Sequence, residues 1–303
     1  MIRSLREERW SHGRRPCAFT PPSAGDTLKR IKRHVAHDDQ EESFGQRKDR
    51  RRPRGRVRAA NLTDAACGVA EVAWLIERGF LTTVEGELKS GKEATVYLGH
   101  GPTGLVAVKV YREVRSFKND ARYREGRFVG DARTAKAIAK RTGFGKKAQA
   151  ALWAAHEYHM LWRFRAAGIP VPEPLVGPER SEILKSGEVV LMRYIGDERG
   201  AAPRLADVAL SEAEARSAFQ QSVHWLGEIW RAGFVHADYS TYNLLWWDGG
   251  VVVIDLPQAV DARHKEAREL LARDADSLCT SFRTLGLDED PARVVAQALG
   301  PKG

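Results

Sequence analysis

Between Val235 and Ala259 the chain reads VHADYSTYNLLWWDGGVVVIDLPQA, an order that few folds can hold. His236-Ala237-Asp238 follows a helix-forming stretch and so falls in a loop. Val251–Ile254 is an unbroken apolar run, which predicts a buried strand that Asp255 ends. Trp246-Trp247-Asp248-Gly249-Gly250 predicts the turn of a hairpin that brings Asn243 and Asp255 together. Chemically, Asp238 can take a proton from a hydroxyl, while the Asn243 amide and the Asp255 carboxylate can share a hard cation such as magnesium. This is equipment for phosphoryl transfer. A lone His-x-Asp would carry little weight, so the residues upstream decide.

Leu88–Leu98 and Leu105–Tyr111 read as two strands joined at His100-Gly101-Pro102-Thr103-Gly104, residues that tolerate a tight turn. Gly86-Glu-Leu-Lys-Ser-Gly91-Lys92 fits the start of a Walker A loop, but Glu93 replaces the hydroxyl residue that would hold magnesium. Ala94-Thr95-Val96-Tyr97 then prefers strand to the helix such a loop must open. The better reading is a loop in which Gly91 and Lys92 cover a nucleotide from above. Lys109 lies within Val106-Ala107-Val108-Lys109-Val110, where an ammonium among apolar neighbours needs an anion. On the helix predicted over Ala150–Ala167, Glu157 shares a face with Ala154, Leu161 and Phe164 and needs a cation in turn. Lys109 and Glu157 are therefore expected to pair. Glu188–Ile195 reads as a strand leading into the polar linker Gly196–Gly200. A capping box at Ser211 and Glu214 opens a helix whose apolar face runs to Trp230. His224, on that helix, reads as exposed or structural.

Composition narrows the remaining choices. Residues 1–60 hold 17 Lys+Arg against 8 Asp+Glu, so the whole surplus of +9 belongs to this tail and the rest of the chain balances. The tail shows no sustained period and is expected to be disordered. Its densest part, Arg47–Arg58, could neutralise RNA phosphates without choosing a sequence, or could be a solvated tail with no partner; both readings stand. A second basic stretch, the insert at 116–147, is expected to be a long loop after a helix at Thr63–Arg78, apart from a short helix at Thr134–Arg141. Cys17, Cys67 and Cys279 suggest neither a disulfide framework nor a CxxC metal site, which fits a reducing cytoplasm. MIRSLREERW lacks the apolar core of a signal peptide, and no run approaches the roughly 20 apolar residues that span a bilayer, so no membrane partner is expected.

The chain resembles the RIO family of atypical serine/threonine protein kinases over about Leu62–Leu285. The resemblance rests on SGKEATVY at Ser90–Tyr97, VAVKVYR at Val106–Arg112, AGIPVPEP at Ala167–Pro174, HADYSTYN at His236–Asn243 and IDLPQAV at Ile254–Val260, and it extends to HKEARELLARD at His264–Asp274. It implies an α+β, bilobal protein-kinase-like fold, with a small β-rich N-lobe over 61–195 and a reduced helical C-lobe over 196–303. It also implies ATP with magnesium, or manganese in its place, as cofactors, and an unidentified protein substrate. Asp238 would be the catalytic base. Asn243 and Asp255 would bind the metal, and Asp255 would also be able to carry a phosphoryl group in an ATPase cycle. Lys109 and Glu157 would be the ion pair, and the backbone of Arg193 and Ile195 would meet the adenine. The chain looks closer to the branch without an N-terminal winged helix. It departs from the family's usual Leu and Glu at Tyr239 and Thr241 and its usual Asn at Thr95, but none of these departures removes a proton acceptor or metal ligand.

Two other readings share part of the pattern. A small-molecule phosphotransferase of the aminoglycoside-kinase kind also uses HxDxxxxN followed by a metal-binding Asp, though without SGKEATVY and IDLPQ. An ATP-switched module would instead hold RNA or the ribosome through residues 1–60 with little turnover.

Overall fold

Alternating apolar residues in the first half of the chain build one antiparallel sheet, and an amphipathic helix covers it. The computed structural model describes residues 70–112 and 132–300. Helix α1 (Ala70–Glu77) precedes strands β1 (Thr83–Ser90), β2 (Ala94–Gly101) and β3 (Gly104–Tyr111). Helices α2 (Ala132–Ala139), α3 (Gly143–Ala166) and α4 (Arg180–Lys185) follow, then β4 (Val189–Arg193), and the sheet order is β1-β2-β3-β4. Lys109 therefore lies on an inner strand, opposite Val96 on one side and Val190 on the other. Val106 and Val108 on that strand are fully buried. Tyr158 on α3 reaches the sheet and accepts from the Leu191 N–H of β4 at 2.7 Å.

Several expectations are corrected here. The strand expected over Leu88–Leu98 is two strands, because a turn at Gly91-Lys92-Glu93 reverses the chain and pairs Ser90 with Thr95. Gly91 donates its N–H to the Ala94 carbonyl at 2.8 Å to close that turn. β1 is also irregular, with register shifts between Val84 and Lys89. The helix expected over Ala150–Ala167 begins seven residues earlier, at Gly143, where the Thr142 hydroxyl accepts from the Gly145 N–H at 3.1 Å. A Cβ on Gly145 would stand 2.1 Å from the Ala137 carbonyl oxygen, so this glycine permits α2 and α3 to touch instead of marking a loop. The part of the 116–147 insert that is described, 132–147, is accordingly helical. The rest of the insert, the tail at 1–60, any winged helix there and the start of the Thr63–Arg78 helix lie outside the described residues; Ala70–Glu77 bears out that helix's later part.

The second half is mostly helical. The expected linker at Gly196–Gly200 is a miniature hairpin of β5 (Gly196–Asp197) and β6 (Gly200–Ala201). Helix α5 (Glu212–Arg231) starts at the expected capping box, with Ser211 and Glu214 bonding reciprocally. β7 (Phe234–Val235) leads into the His236 loop and a 3-10 turn at Thr241–Asn243, and then β8 (Leu244–Trp247) pairs with β9 (Gly250–Val253). Asp248 and Gly249 both take positive φ, 51° and 71°, the geometry of the tightest hairpin turns. β10 (Val260–Asp261) returns to β7, and α6 (Ala267–Arg283) and α7 (Pro291–Leu299) complete the body. Residues 256–266 alone separate Asp255 from α6, so no long segment intervenes. His224 is largely exposed on α5, as expected. Among the described residues no helix is long and apolar enough to cross a membrane.

Candidate active site

The site is organised around Lys109. Strand alternation turns its ammonium inward, and the apolar stripe of α3 carries Glu157, 1% exposed, beneath the sheet. Lys109 Nζ donates to Glu157 Oε1 at 2.7 Å and to Asp255 Oδ1 at 2.7 Å. The second Glu157 oxygen accepts from the Tyr111 hydroxyl at 2.6 Å. Burial disfavours a charge on Lys109, but Asp255 and then Glu157 outweigh it and hold the ammonium's pKa well above its ordinary value. Burial also opposes ionisation of Asp255, yet the charge and hydrogen bond of Lys109 keep that carboxyl below its usual range. Tyr111 is pushed well up, by burial first and by Glu157 second, and so remains a hydroxyl donor.

The loop after β7 presents Asp238 and Asn243 beside this node. Asn243 Nδ2 donates both to the Asp238 carbonyl and to Asp238 Oδ2, each at 2.8 Å, which fixes the amide's orientation and leaves its oxygen unspent. The Asn243 carbonyl accepts from the Ile254 N–H at 3.0 Å, so the β8–β9 hairpin sets Asn243 beside the residue preceding Asp255, as the sequence predicted. Desolvation raises the Asp238 pKa, the Asn243 bond opposes the rise and the Asp255 charge adds to it. A carboxylate tuned upward is a better proton acceptor.

The loop itself is held from below by Asp274 of α6. Its carboxylate accepts from the Ala237 N–H at 2.8 Å and from the Tyr239 N–H at 3.0 Å, the two groups that flank Asp238. Burial pushes the Asp274 pKa up to about 7 against those two bonds. His236 is wholly buried, meets the Ile254 carbonyl at 3.2 Å, and is lowered to about 4 by burial. It is thus a neutral structural support. Tyr239 extends the support by donating its hydroxyl to the Ser222 carbonyl at 2.9 Å. Asp274 was not anticipated as a site residue, although it carries the signal that exposed Glu157: a carboxylate on an apolar helix stripe, here among Leu270, Leu271, Ala275 and Leu278.

On the sheet side, Gly91 and Lys92 are exposed at the tip of the β1–β2 turn. The turn is braced by Arg112, whose guanidinium bonds the Ser90 and Thr95 hydroxyls and whose N–H donates to the Glu93 carbonyl at 2.8 Å. Glu93 was read only as the residue that spoils a Walker motif, yet its pKa is raised, by desolvation first, then by Asp255 and, less, by Asp238. Its carboxylate therefore faces the same cleft. Lys89 faces it too, lowered by burial and by the Arg204 charge. Arg193 and Ile195 mark the far end. The Arg193 N–H is taken by the Glu173 carbonyl at 2.7 Å and the Ile195 carbonyl by the Ala202 N–H at 2.9 Å, so what they retain is an acceptor at Arg193 and a donor at Ile195.

Comparison with known proteins agrees with this geometry. A RIO domain family model matches residues 95–294. The chain is 31% identical over 278 residues to the RIO-type serine/threonine-protein kinase Rio1 of Haloferax volcanii, covering 88% of this chain and 89% of that one. It is 33% identical over 218 residues to the serine/threonine-protein kinase RIO1 of Caenorhabditis elegans, covering 70% of this chain but spanning only 40% of that protein's length. Among solved structures, the Rio2 kinase–ADP/Mg2+–phosphoaspartate complex from Chaetomium thermophilum superposes with a TM-score of 0.56 at 17% identity, over 82% of this chain and 72% of that one. The fold is therefore the bilobal, kinase-like α+β fold expected from the sequence.

Proposed function

The chain belongs to the RIO-domain family, and from that premise and the cleft's geometry we propose that it transfers the γ-phosphoryl of ATP to Ser/Thr hydroxyls, its own included, and hydrolyses ATP at the same site. The observation that carries this reading is the single ammonium of Lys109 bound to both Glu157 and Asp255, next to an Asp238–Asn243 pair.

The donor set fits magnesium. Asn243 has a free amide oxygen, and Asp255 has one oxygen on Lys109 and a second to spare, with its side chain 44% exposed. These are hard oxygen ligands that leave room for phosphate oxygens and water, as magnesium prefers. When bound, the ion neutralises charge on the transferring phosphoryl group. The protein's own residues do the rest. Lys109, fixed by Glu157, holds phosphate oxygens, and Gly91 and Lys92 close over them. The Arg193 carbonyl and Ile195 N–H match the donor and acceptor on an adenine edge. Asp238 takes the acceptor hydroxyl's proton, and in the hydrolytic branch Asp255 carries the phosphoryl group. In this reading 61–195 is the N-lobe and 196–303 the C-lobe.

The test is purified protein with Mg-ATP, following both ADP release and phosphate incorporation. Asp238→Asn should abolish transfer to hydroxyls, and EDTA should abolish both signals. Unchanged hydroxyl labelling in Asp238→Asn would overturn the assignment. Stoichiometric phosphorylation of small polyols with none on protein would move the chain to a different acceptor class.

A further inference from the structure

A cavity of about 890 Å3 opens on a different face of α3 from the one carrying Glu157, and phosphoryl transfer makes no use of it. α3, α4 and the paired ends of β7 and β10 form its walls. The floor is apolar: Met160, Ile183, Phe234 and Val260, with Leu184, 51% exposed, carrying the apolar surface out to the rim. His156 Nε2 meets the Ala259 carbonyl at 2.8 Å and ties the α3 wall to the β10 wall, so the cavity is preformed.

Its charge is one-sided. Arg163, Arg180 and Arg263 line it, and Asp261 is the one carboxylate in the lining. Asp261 is already satisfied by Arg263, through Nε at 2.9 Å, Nη2 at 2.6 Å and the backbone N–H at 2.8 Å. No acidic residue in the lining therefore answers Arg163 or Arg180. His159, on the same wall, is held below its ordinary pKa by desolvation and by the Arg163 charge. An apolar floor under unanswered guanidiniums selects a ligand that is both apolar and anionic.

We propose that this cavity is a docking site for an acidic peptide segment of a protein partner, with one or two large aliphatic side chains on the Met160–Phe234 floor and carboxylate or phosphoryl groups at Arg163 and Arg180. Its volume lies at the upper end of the roughly 300–1,000 Å3 of small-ligand pockets, and its rim is open, which suits several consecutive side chains better than one enclosed metabolite. The aliphatic floor offers a nucleic acid little to stack on. The chain's own basic tail carries the wrong sign to occupy it.

The test uses the full chain without nucleotide, so that its outcome is independent of phosphoryl transfer. A short labelled peptide of Leu, Asp and Glu is titrated at physiological salt and followed by fluorescence anisotropy, beside the same peptide with Lys in place of the acids. Saturable binding of the acidic peptide alone is expected, weakened about tenfold or more by Arg163→Glu and, separately, by Leu184→Asp. Both positions are exposed, and unchanged melting temperatures will show that the variants are folded. Equal binding of the Lys peptide would overturn the proposal, as would variants within about twofold of the parent. So would a single-stranded RNA that binds in an Arg163-dependent way where the acidic peptide does not.

Discussion

Glu157→Ala should cost the protein about 3–5 kcal/mol, and the pattern of its partner's variants should show why. The carboxylate receives two buried donors, the Lys109 ammonium at 2.7 Å and the Tyr111 hydroxyl at 2.6 Å. Orphaning the hydroxyl costs about 1–3 kcal/mol, and losing one charge-assisted bond costs about 1.5–3 more. Lys109 is not stranded, because Asp255 still holds it at 2.7 Å, which keeps the total within the ~3–5 kcal/mol typical of a broken buried pair. Lys109→Met should cost a similar amount, since it leaves Glu157 charged and 1% exposed. The double variant leaves no unpaired charge at that position, so it should fall about 2–3 kcal/mol short of the sum of the singles. Urea unfolding of the nucleotide-free protein measures all three. Additivity within about 0.5 kcal/mol would mean the two groups are not energetically coupled, and the geometric reading of the node would fail. Mg-ATP turnover should fall on the order of 10²–10³-fold in each single variant and little further in the double.

Three further outcomes follow from the packing around the cleft. Asp274→Ala removes the acceptor for the Ala237 and Tyr239 N–H groups, so kcat should drop about 10²-fold while KM for ATP changes little, because no proposed nucleotide contact is touched. Gly145→Ala, which elsewhere in a helix gains about 1 kcal/mol, should lose about 1–3 kcal/mol because its Cβ would lie 2.1 Å from the Ala137 carbonyl; Gly143→Ala, with nothing within 4 Å, is the control that should not lose stability. His236, lowered to about 4, adds stability that is present above its ordinary pKa near 6.5 and lost as pH falls toward 4, because the unfolded chain then binds the extra proton. That term is roughly 3 kcal/mol, so His236→Gln should flatten the acid limb of a stability–pH curve between about pH 7 and 4 by that amount. Identical limbs in the two proteins would show that His236 is not buried neutral.

What the sequence made legible was whatever a period exposes. Lys109 and Glu157 were each an ion set in an apolar repeat, one of period two and one of helical period, and each asked for the other. The Ser211–Glu214 box and the Asp248-Gly249 turn are local chemistry and appeared where they were read. The turn at Gly91–Glu93 was missed because strand-forming residues lie on both sides of it, and only the pairing of Ser90 with Thr95 reveals the reversal. The first turns of α3 were missed because Gly143 and Gly145 look like loop residues until α2 is seen against them. Lys109 reaching Asp255 as well as Glu157 depends on a contact 146 residues apart, and no local pattern encodes it.

Two residues flanking the chemistry, Ala237 and Asp255, sit in the left-handed region at φ 66° and 64°. For a residue with a Cβ that conformation costs about 1–2 kcal/mol, a cost glycine would not bear. At position 237 glycine would trade that relief against about 0.4–1 kcal/mol of added freedom in the unfolded chain, so drift between alanine and glycine is close to free. Position 255 has no such exit, since its carboxylate is bound by Lys109. The two sites therefore have the same backbone and opposite mutational latitude. Both exclude valine, isoleucine and threonine on shape, but only Asp255 also excludes glycine, and it does so on chemistry.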